Sequence, residues 1–164
     1  KAYYWIQKAA DQENAYAQNI LGVLYAKGNG VVQDLKQSAY WYELSANQGN
    51  DVAQNNIGVV YDNGDGVTQN RKKAFYWYQK AADQGNVSAQ YNLGYLYQWG
   101  RGVTKNFKEA QYWYKKSSDQ GSKSSQNALG ILYERGEGVS KDYKQAFIGI
   151  KKLPIREIFL LKVI

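Results

Sequence analysis

Four tryptophans divide the chain at equal intervals. Trp5, Trp41, Trp77 and Trp113 lie 36 residues apart, and each stands in a similar phrase, such as Ala-Phe-Tyr-Trp-Tyr-Gln-Lys-Ala-Ala from Ala74. A fixed period of this length is typical of a solenoid, in which each unit buries its apolar face only against its neighbours. The function is therefore to be sought on a long repeated surface rather than in a catalytic pocket.

Each repeat is predicted to contain two helices. The first helix is expected at 15–27, 51–63, 87–99 and 123–135, because Ala17, Leu21, Leu24 and their equivalents recur at steps of three and four. A Gly-x-Gly-Val loop follows, and then a residue suited to cap the second helix: Asp34, Asn70, Asn106 or Asp142. Asn106 with Glu109 indicates a capping box. No strand pattern precedes residue 153, so the fold class is all-α.

The glycines predict two further features. Gly22, Gly58, Gly94 and Gly130 fall in the middle of the first helices. Glycine costs about 1 kcal/mol relative to alanine there, so we expect another helix to approach closely at each of them. Gly85 ends a second helix, whereas Glu13 occupies that position in the first copy, and we expect backbone strain at Glu13.

The repeat array is predicted to cover residues 1–152, as half a repeat followed by four helix pairs. The last pair is degenerate, because Gly149 and Ile150 stand where Trp and Tyr are expected. Residues 153–164 form a separate hydrophobic tail, which Pro154 separates from the preceding helix. We expect the tail to dock, either as a cap on the last repeat or in the groove of a neighbouring molecule, which would make the chain self-associate.

These motifs resemble the Sel1-like repeat family. Ala-x-x-Trp-Tyr-x-Lys-Ala-Ala-x-Gln-Gly, Ala-Gln-x-x-Leu-Gly-x-Leu-Tyr and Gly-x-Gly-Val recur here in one register over about residues 1–152. The period of 36 distinguishes them from tetratricopeptide repeats, whose period is 34. The resemblance implies a right-handed α-solenoid, similar to tetratricopeptide arrays, that acts as a non-enzymatic scaffold or adaptor for protein complexes. It also implies a bacterial periplasmic, secreted or host-interaction setting.

The composition excludes several kinds of site. The chain has no cysteine and no histidine, so disulfides, cysteine-based zinc sites and histidine-based catalytic triads are impossible. We expect no metal and no cofactor. The enzymatic alternative is a peptidoglycan- or β-lactam-related activity, since a cysteine-rich subgroup of the family has been linked to penicillin binding. That link does not carry over to a chain without cysteine, and the Ser-x-x-Lys motif of serine acylation is also absent.

The net charge of +7 is uneven along the chain. Residues 1–82 carry 8 basic and 7 acidic groups, whereas residues 83–164 carry 13 and 7. This bias favours an acidic partner, and basic-surface binding of nucleic acid is a further alternative. Because acids are interspersed among the lysines, the charge also has a simpler interpretation as a solvated surface. No apolar run reaches the roughly 20 residues that a membrane span needs.

Binding residues are sought at positions that differ between copies. The repeated tryptophans, and Tyr25 with its equivalents, are assigned to packing between units. The varying positions line one stripe of the first helix, predicted to be concave: Asn19, Asn55, Asn56, Val59, Tyr91, Asn92, Tyr95, Trp99, Asn127 and Arg135. Asparagine amides can hold the backbone of an extended peptide, and the three aromatic residues form a large amphipathic patch. The partner is predicted to be a protein or peptide, not a small-molecule substrate.

Overall fold

The computed structural model describes residues 2–151, without the side chains of residues 147, 150 and 151. Its helices are α1 (Ala2–Asp11), α2 (Ala15–Lys27), α3 (Leu35–Asn47), α4 (Asp51–Asn63), α5 (Arg71–Asp83), α6 (Val87–Trp99), α7 (Phe107–Asp119), α8 (Lys123–Arg135) and α9 (Tyr143–Lys151). The four first helices have the bounds that the sequence predicts. Residues 2–151 contain no strand, and none of their helices is long and apolar enough to cross a bilayer. The tail at 153–164 lies outside the described residues.

The chain divides into two compact units, and the division falls between Asn86 and Val87. The first unit holds α1 to α5 and the second holds α6 to α9. Within each unit a helix packs on the next one along the chain, and the tightest pairs are the two helices of one repeat, such as α2 with α3. Each unit is therefore built from contacts between sequence neighbours, as in a repeat array.

The predicted caps begin the second helices. Asp34, Asn70 and Asn106 each accept hydrogen bonds from backbone N–H groups of the first turn. The carboxylate of Asp142 does the same for α9. The capping box at Asn106 is only half formed, because the Asn106 N–H donates to the carbonyl of Tyr97 at 2.9 Å instead of to the Glu109 side chain. The carbonyl of Tyr97 in α6 already satisfies that donor, so the Asn106 N–H is not available to the Glu109 side chain.

The turn after each second helix uses a left-handed residue. Gly49, Gly85 and Gly121 have φ of 92°, 94° and 92° there, and Glu13 has φ of 62° at the same position of the first copy. A side chain disfavours this region of backbone conformation, so the expected strain at Glu13 is confirmed.

The mid-helix glycines lie against tyrosine rings, as expected from their position. A Cβ built on Gly58 would lie 2.7 Å from Cδ1 of Tyr78, and one on Gly94 would lie 2.5 Å from Cδ1 of Tyr114. In the last pair, Gly149 stands at the tryptophan position and lies against the backbone of Gly130, where its Cβ would be 3.1 Å from the Gly130 Cα. The two helices of the degenerate repeat therefore approach closely through two glycines.

Buried glutamines tie the repeats together. The Gln54 side chain, which is 3% exposed, donates from Nε2 to the carbonyl of Ala46 at 3.1 Å. Its Oε1 accepts from Nε2 of Gln84 at 2.8 Å. Gln18 has the same two kinds of partner, since it donates to Ala10 and accepts from Gln48. Gln18 and Gln54 thus each link their own repeat to the preceding second helix.

The tryptophans differ in burial although their sequence contexts are alike. Trp77 and Trp113 are buried, at 6% and 5% exposed, and so confirm the packing assignment. Trp5 is 64% exposed, so that assignment is wrong for it in this structure. Among the described residues, α1 packs mainly on α2, and the indole of Trp5 stays largely uncovered. Trp41 is half-buried against the cluster around Leu21 and is likewise only partly covered.

Candidate interaction surface

In the first unit the predicted stripe is partly occupied by its own hydrogen bonds. Nδ2 of Asn56 donates to Oδ1 of Asn19 at 3.0 Å, which joins α4 to α2. Asn56 and Val59 line a small groove of about 170 Å³ together with Tyr42 and Asp65. Since the two amides bind each other, they offer fewer free donors and acceptors to a peptide backbone than the sequence predicts.

A second groove lies at the equivalent positions of the second unit and measures about 220 Å³. One wall is aromatic and consists of Tyr91, Tyr95, Trp99 and Tyr114. The other wall comes from α8 and presents Asn127, Ala128, Ile131 and Arg135. Five of the predicted site residues therefore meet in one groove.

A pair of substitutions between copies explains why this groove is apolar. Asn19 and Asn56 bridge the first helices of neighbouring repeats in the first unit. The equivalent positions of the second unit are Tyr91 and Ala128. Neither side chain can form that amide bridge. The small Ala128 leaves space, and Tyr91 turns its ring toward Tyr114, with ring centroids 5.6 Å apart.

The aromatic wall is held in place by contacts within the unit. The hydroxyl of Tyr114 donates to Oε1 of Gln98 at 2.8 Å. Burial raises the pKa of Tyr114 and also that of Tyr91, so both hydroxyls stay neutral over the physiological range. Trp99 packs on Tyr95 with centroids 6.4 Å apart, yet 53% of its surface stays exposed. The groove is thus held in place at Tyr114 and open to solvent at Trp99.

The groove also has polar side chains: Gln98, Ser124, Asn127 and Arg135 line it, and Arg101 contacts its Tyr95. Nη1 of Arg101 donates to the hydroxyl of Tyr95 at 3.0 Å, and its guanidinium carbon lies 5.4 Å from the centroid of that ring. Arg135 is exposed at the rim. Oδ1 of Asn127 is buried without a hydrogen-bond partner. Such an acceptor is normally satisfied in a folded protein, so it marks a place where a donor is missing.

Comparison with known proteins identifies the repeat. The sequence profile of the Sel1 repeat matches residues 1–14, 15–50, 51–86, 87–122 and 123–148. The chain belongs to the Sel1 repeat family. The matched segments begin at the first residues of α2, α4, α6 and α8, so each Sel1 repeat corresponds to one helix pair with its loops. Proteins of this family are generally protein-interaction scaffolds.

Solved structures of Sel1 repeat proteins share the fold. One is c5321, a protective antigen present in uropathogenic Escherichia coli strains; it is 42% identical, with a TM-score of 0.88 over 92% of this chain and 32% of its own length. A Sel1 repeat protein of Oxalobacter formigenes is 34% identical, with a TM-score of 0.83 over 92% of this chain and 63% of its own. The Helicobacter pylori cysteine-rich protein B is 24% identical, with a TM-score of 0.61 over 80% of this chain and 98% of its own. The chain is thus an all-helical solenoid protein that spans less than two thirds of the first two relatives. No curated protein matches it.

The Sel1 register also shows what the sequence analysis missed. Asn55 and Asn92 are half-buried and line neither groove, whereas Tyr114 lines the second groove without having been predicted. Tyr114 was overlooked because it lies on a second helix and recurs in other copies. Ala128 carried a usable signal, since it replaces an asparagine of the two preceding copies.

Proposed function

We propose that this chain is an adaptor that binds an extended peptide or protein segment along the face of the first helices that the sequence predicts to be concave. The observation that carries the proposal is the exposure of Trp99. Its indole is 53% exposed beside an open groove, although the equivalent positions of the other copies are Lys27, Asn63 and Arg135. The repeat does not need an aromatic residue at this position for its own packing.

The composition of the groove supports a peptide rather than a small-molecule substrate. Tyrosine, tryptophan and arginine are the residues that most often dominate the binding energy of protein interfaces. Here they surround Asn127, whose amide offers both a donor and an acceptor of the kind that binds a peptide backbone. The groove presents no pair of carboxylates and no nucleophile with an adjacent base, so its residues offer recognition and not catalysis.

The test is a selection of random dodecapeptides displayed on phage against the purified chain. Selected peptides are then synthesised and their dissociation constants measured for the wild type and for Trp99→Ala. We expect Trp99→Ala to weaken binding at least about tenfold, as at interface residues with large contributions.

The matched control is Tyr112→Ala. Tyr112 is a similarly exposed aromatic residue of the same unit, at 49% exposed, and it lies outside the groove on α7. It is expected to change affinity less than about twofold, which is within the usual effect of a residue outside the contact. Equal losses for the two variants, or no selected peptide at all, would refute the proposal.

A further inference from the structure

The positive charge of the described residues is concentrated in the second unit. Residues 1–86 carry 8 basic and 8 acidic groups, so their net charge is zero. Residues 87–151 carry 10 basic and 5 acidic groups, so their net charge is +5. The aromatic groove therefore lies in the unit that carries the positive charge of the described chain.

The groove itself repeats this asymmetry. The charged side chains at it are Arg135 on its rim and Arg101 behind Tyr95, and no acidic side chain lines it. Neither arginine forms an ion pair with any side chain of residues 2–151. Arg101 uses one N–H for the Tyr95 hydroxyl and keeps further donors, since a guanidinium has five. By contrast, the equivalent groove of the first unit is lined by Asp65 and by no cation.

We propose that the groove of the second unit selects peptides in which an acidic residue stands within two positions of a large apolar residue. This inference rests on the proposed function and specifies its ligand. The apolar side chain enters between Trp99 and Ile131, where the walls are aromatic and aliphatic. The carboxylate then binds the guanidinium of Arg135 or Arg101, because planar guanidinium groups pair with carboxylates through two parallel hydrogen bonds.

The probes are three pools of fluorescein-labelled hexapeptides with a central Leu, Ile or Phe. The flanking positions contain Ser and Asp in the acidic pool, Ser and Asn in the neutral pool, and Ser and Lys in the basic pool. Binding is measured by fluorescence polarisation at about 50 mM salt, where pairing of exposed charges is screened less than at physiological ionic strength. We expect the acidic pool to bind about tenfold more tightly than the neutral pool, and the basic pool to bind most weakly.

Variants separate the charge from the groove. The double variant Arg101→Gln/Arg135→Gln should abolish the roughly tenfold ratio between the affinities for the acidic and the neutral pool. Lys108→Gln, which removes one exposed positive charge of the same unit outside the groove, should leave that ratio in place. Trp99→Ala should weaken binding of both pools.

The outcomes distinguish the two proposals. Equal binding of the acidic and neutral pools, with both sensitive to Trp99→Ala, overturns the acidic selectivity and keeps the peptide groove. Failure of all pools to bind, or indifference to Trp99→Ala, overturns the groove itself. Displacement of the acidic pool by single-stranded DNA at 50 mM but not at 200 mM salt, equally in the wild type and Trp99→Ala, overturns both in favour of a nucleic-acid surface.

Discussion

The backbone of Gly94 lies so close to the ring of Tyr114 that a methyl group on Gly94 would sit 2.5 Å from Cδ1. The same relationship joins Gly58 to Tyr78. The period of the glycines therefore reflects contacts between helices: in the repeats that begin at residues 15, 51 and 87, a tyrosine of the second helix packs against the glycine of the first.

Gly94→Ala is expected to lower the free energy of unfolding of the second unit by up to about 2 kcal/mol. Forcing a methyl group into a packed contact costs about 1–3 kcal/mol, whereas replacing a mid-helix glycine by alanine gains about 1 kcal/mol. Chemical denaturation followed by circular dichroism measures the difference. In a Tyr114→Ala background the sign should reverse, because the ring is gone and only the helix propensity remains. A stabilising Gly94→Ala in the otherwise unchanged chain would contradict the close contact.

Glu13→Gly is expected to stabilise the first unit by about 0.5–1 kcal/mol. Glycine relieves a left-handed residue that costs about 1–2 kcal/mol, and the greater freedom of glycine in the unfolded chain cancels part of this gain. Gly85→Ala provides the reciprocal change at the equivalent turn, and it should destabilise, since a Cβ there meets no atom within 4 Å and only the backbone conformation opposes it. Thermal melting of both variants checks the pair, and shifts of the same sign would rule out backbone strain as the cause.

Gln54→Leu is expected to lower the free energy of unfolding by about 1–3 kcal/mol, because the substitution removes two hydrogen bonds in a buried place. Gln69→Leu is the control. Gln69 also donates to a backbone carbonyl, that of Asp62, but it is exposed, and water can replace it there. The control should change stability by less than about 0.5 kcal/mol. Urea titrations of the two variants decide the matter, and similar losses would show that burial of the glutamine is unimportant.

Trp77→Ala is expected to cost about 3–5 kcal/mol of stability, the usual range for truncating a buried aromatic residue. Trp5→Ala should cost less than about 1 kcal/mol, although the two tryptophans occupy the same position of the repeat. Trp5 is 64% exposed in this structure and Trp77 only 6%. Guanidinium unfolding measures the loss of free energy of unfolding for each variant. Comparable losses would mean that this loss depends on the position in the repeat and not on the burial of the side chain.

The fold was predictable because its signals are local and repeated. Asp34 and Asn70 cap the turn that follows them, and the glycine of each loop ends the helix before it, so the helix boundaries depend on a few adjacent residues. Gly94 also gave a usable signal for a distant contact, since an unfavourable residue repeated in every copy needs a partner to explain it.

The candidate site was less predictable because it depends on pairs of residues from different repeats. Asn19 and Asn56 are 37 positions apart and bind each other, which a comparison of equivalent positions does not reveal. The groove at Ala128 arises because the small alanine side chain leaves space beside Tyr91. The burial of Trp5 depends on whether another helix covers its indole. Such properties belong to neighbouring copies together and not to any one of them.

The glutamine links have a consequence at the level of the gene. Gln54 donates to Ala46 of the preceding second helix and accepts from Gln84 of its own repeat, and Gln18 is bonded in the same way. A deletion or duplication of one 36-residue segment would therefore join ends that carry the same donors and acceptors as before. Recombination between copies can lengthen or shorten such an array while every buried glutamine keeps its hydrogen-bond partners. The number of repeats can therefore change in evolution independently of the residues that bind a partner.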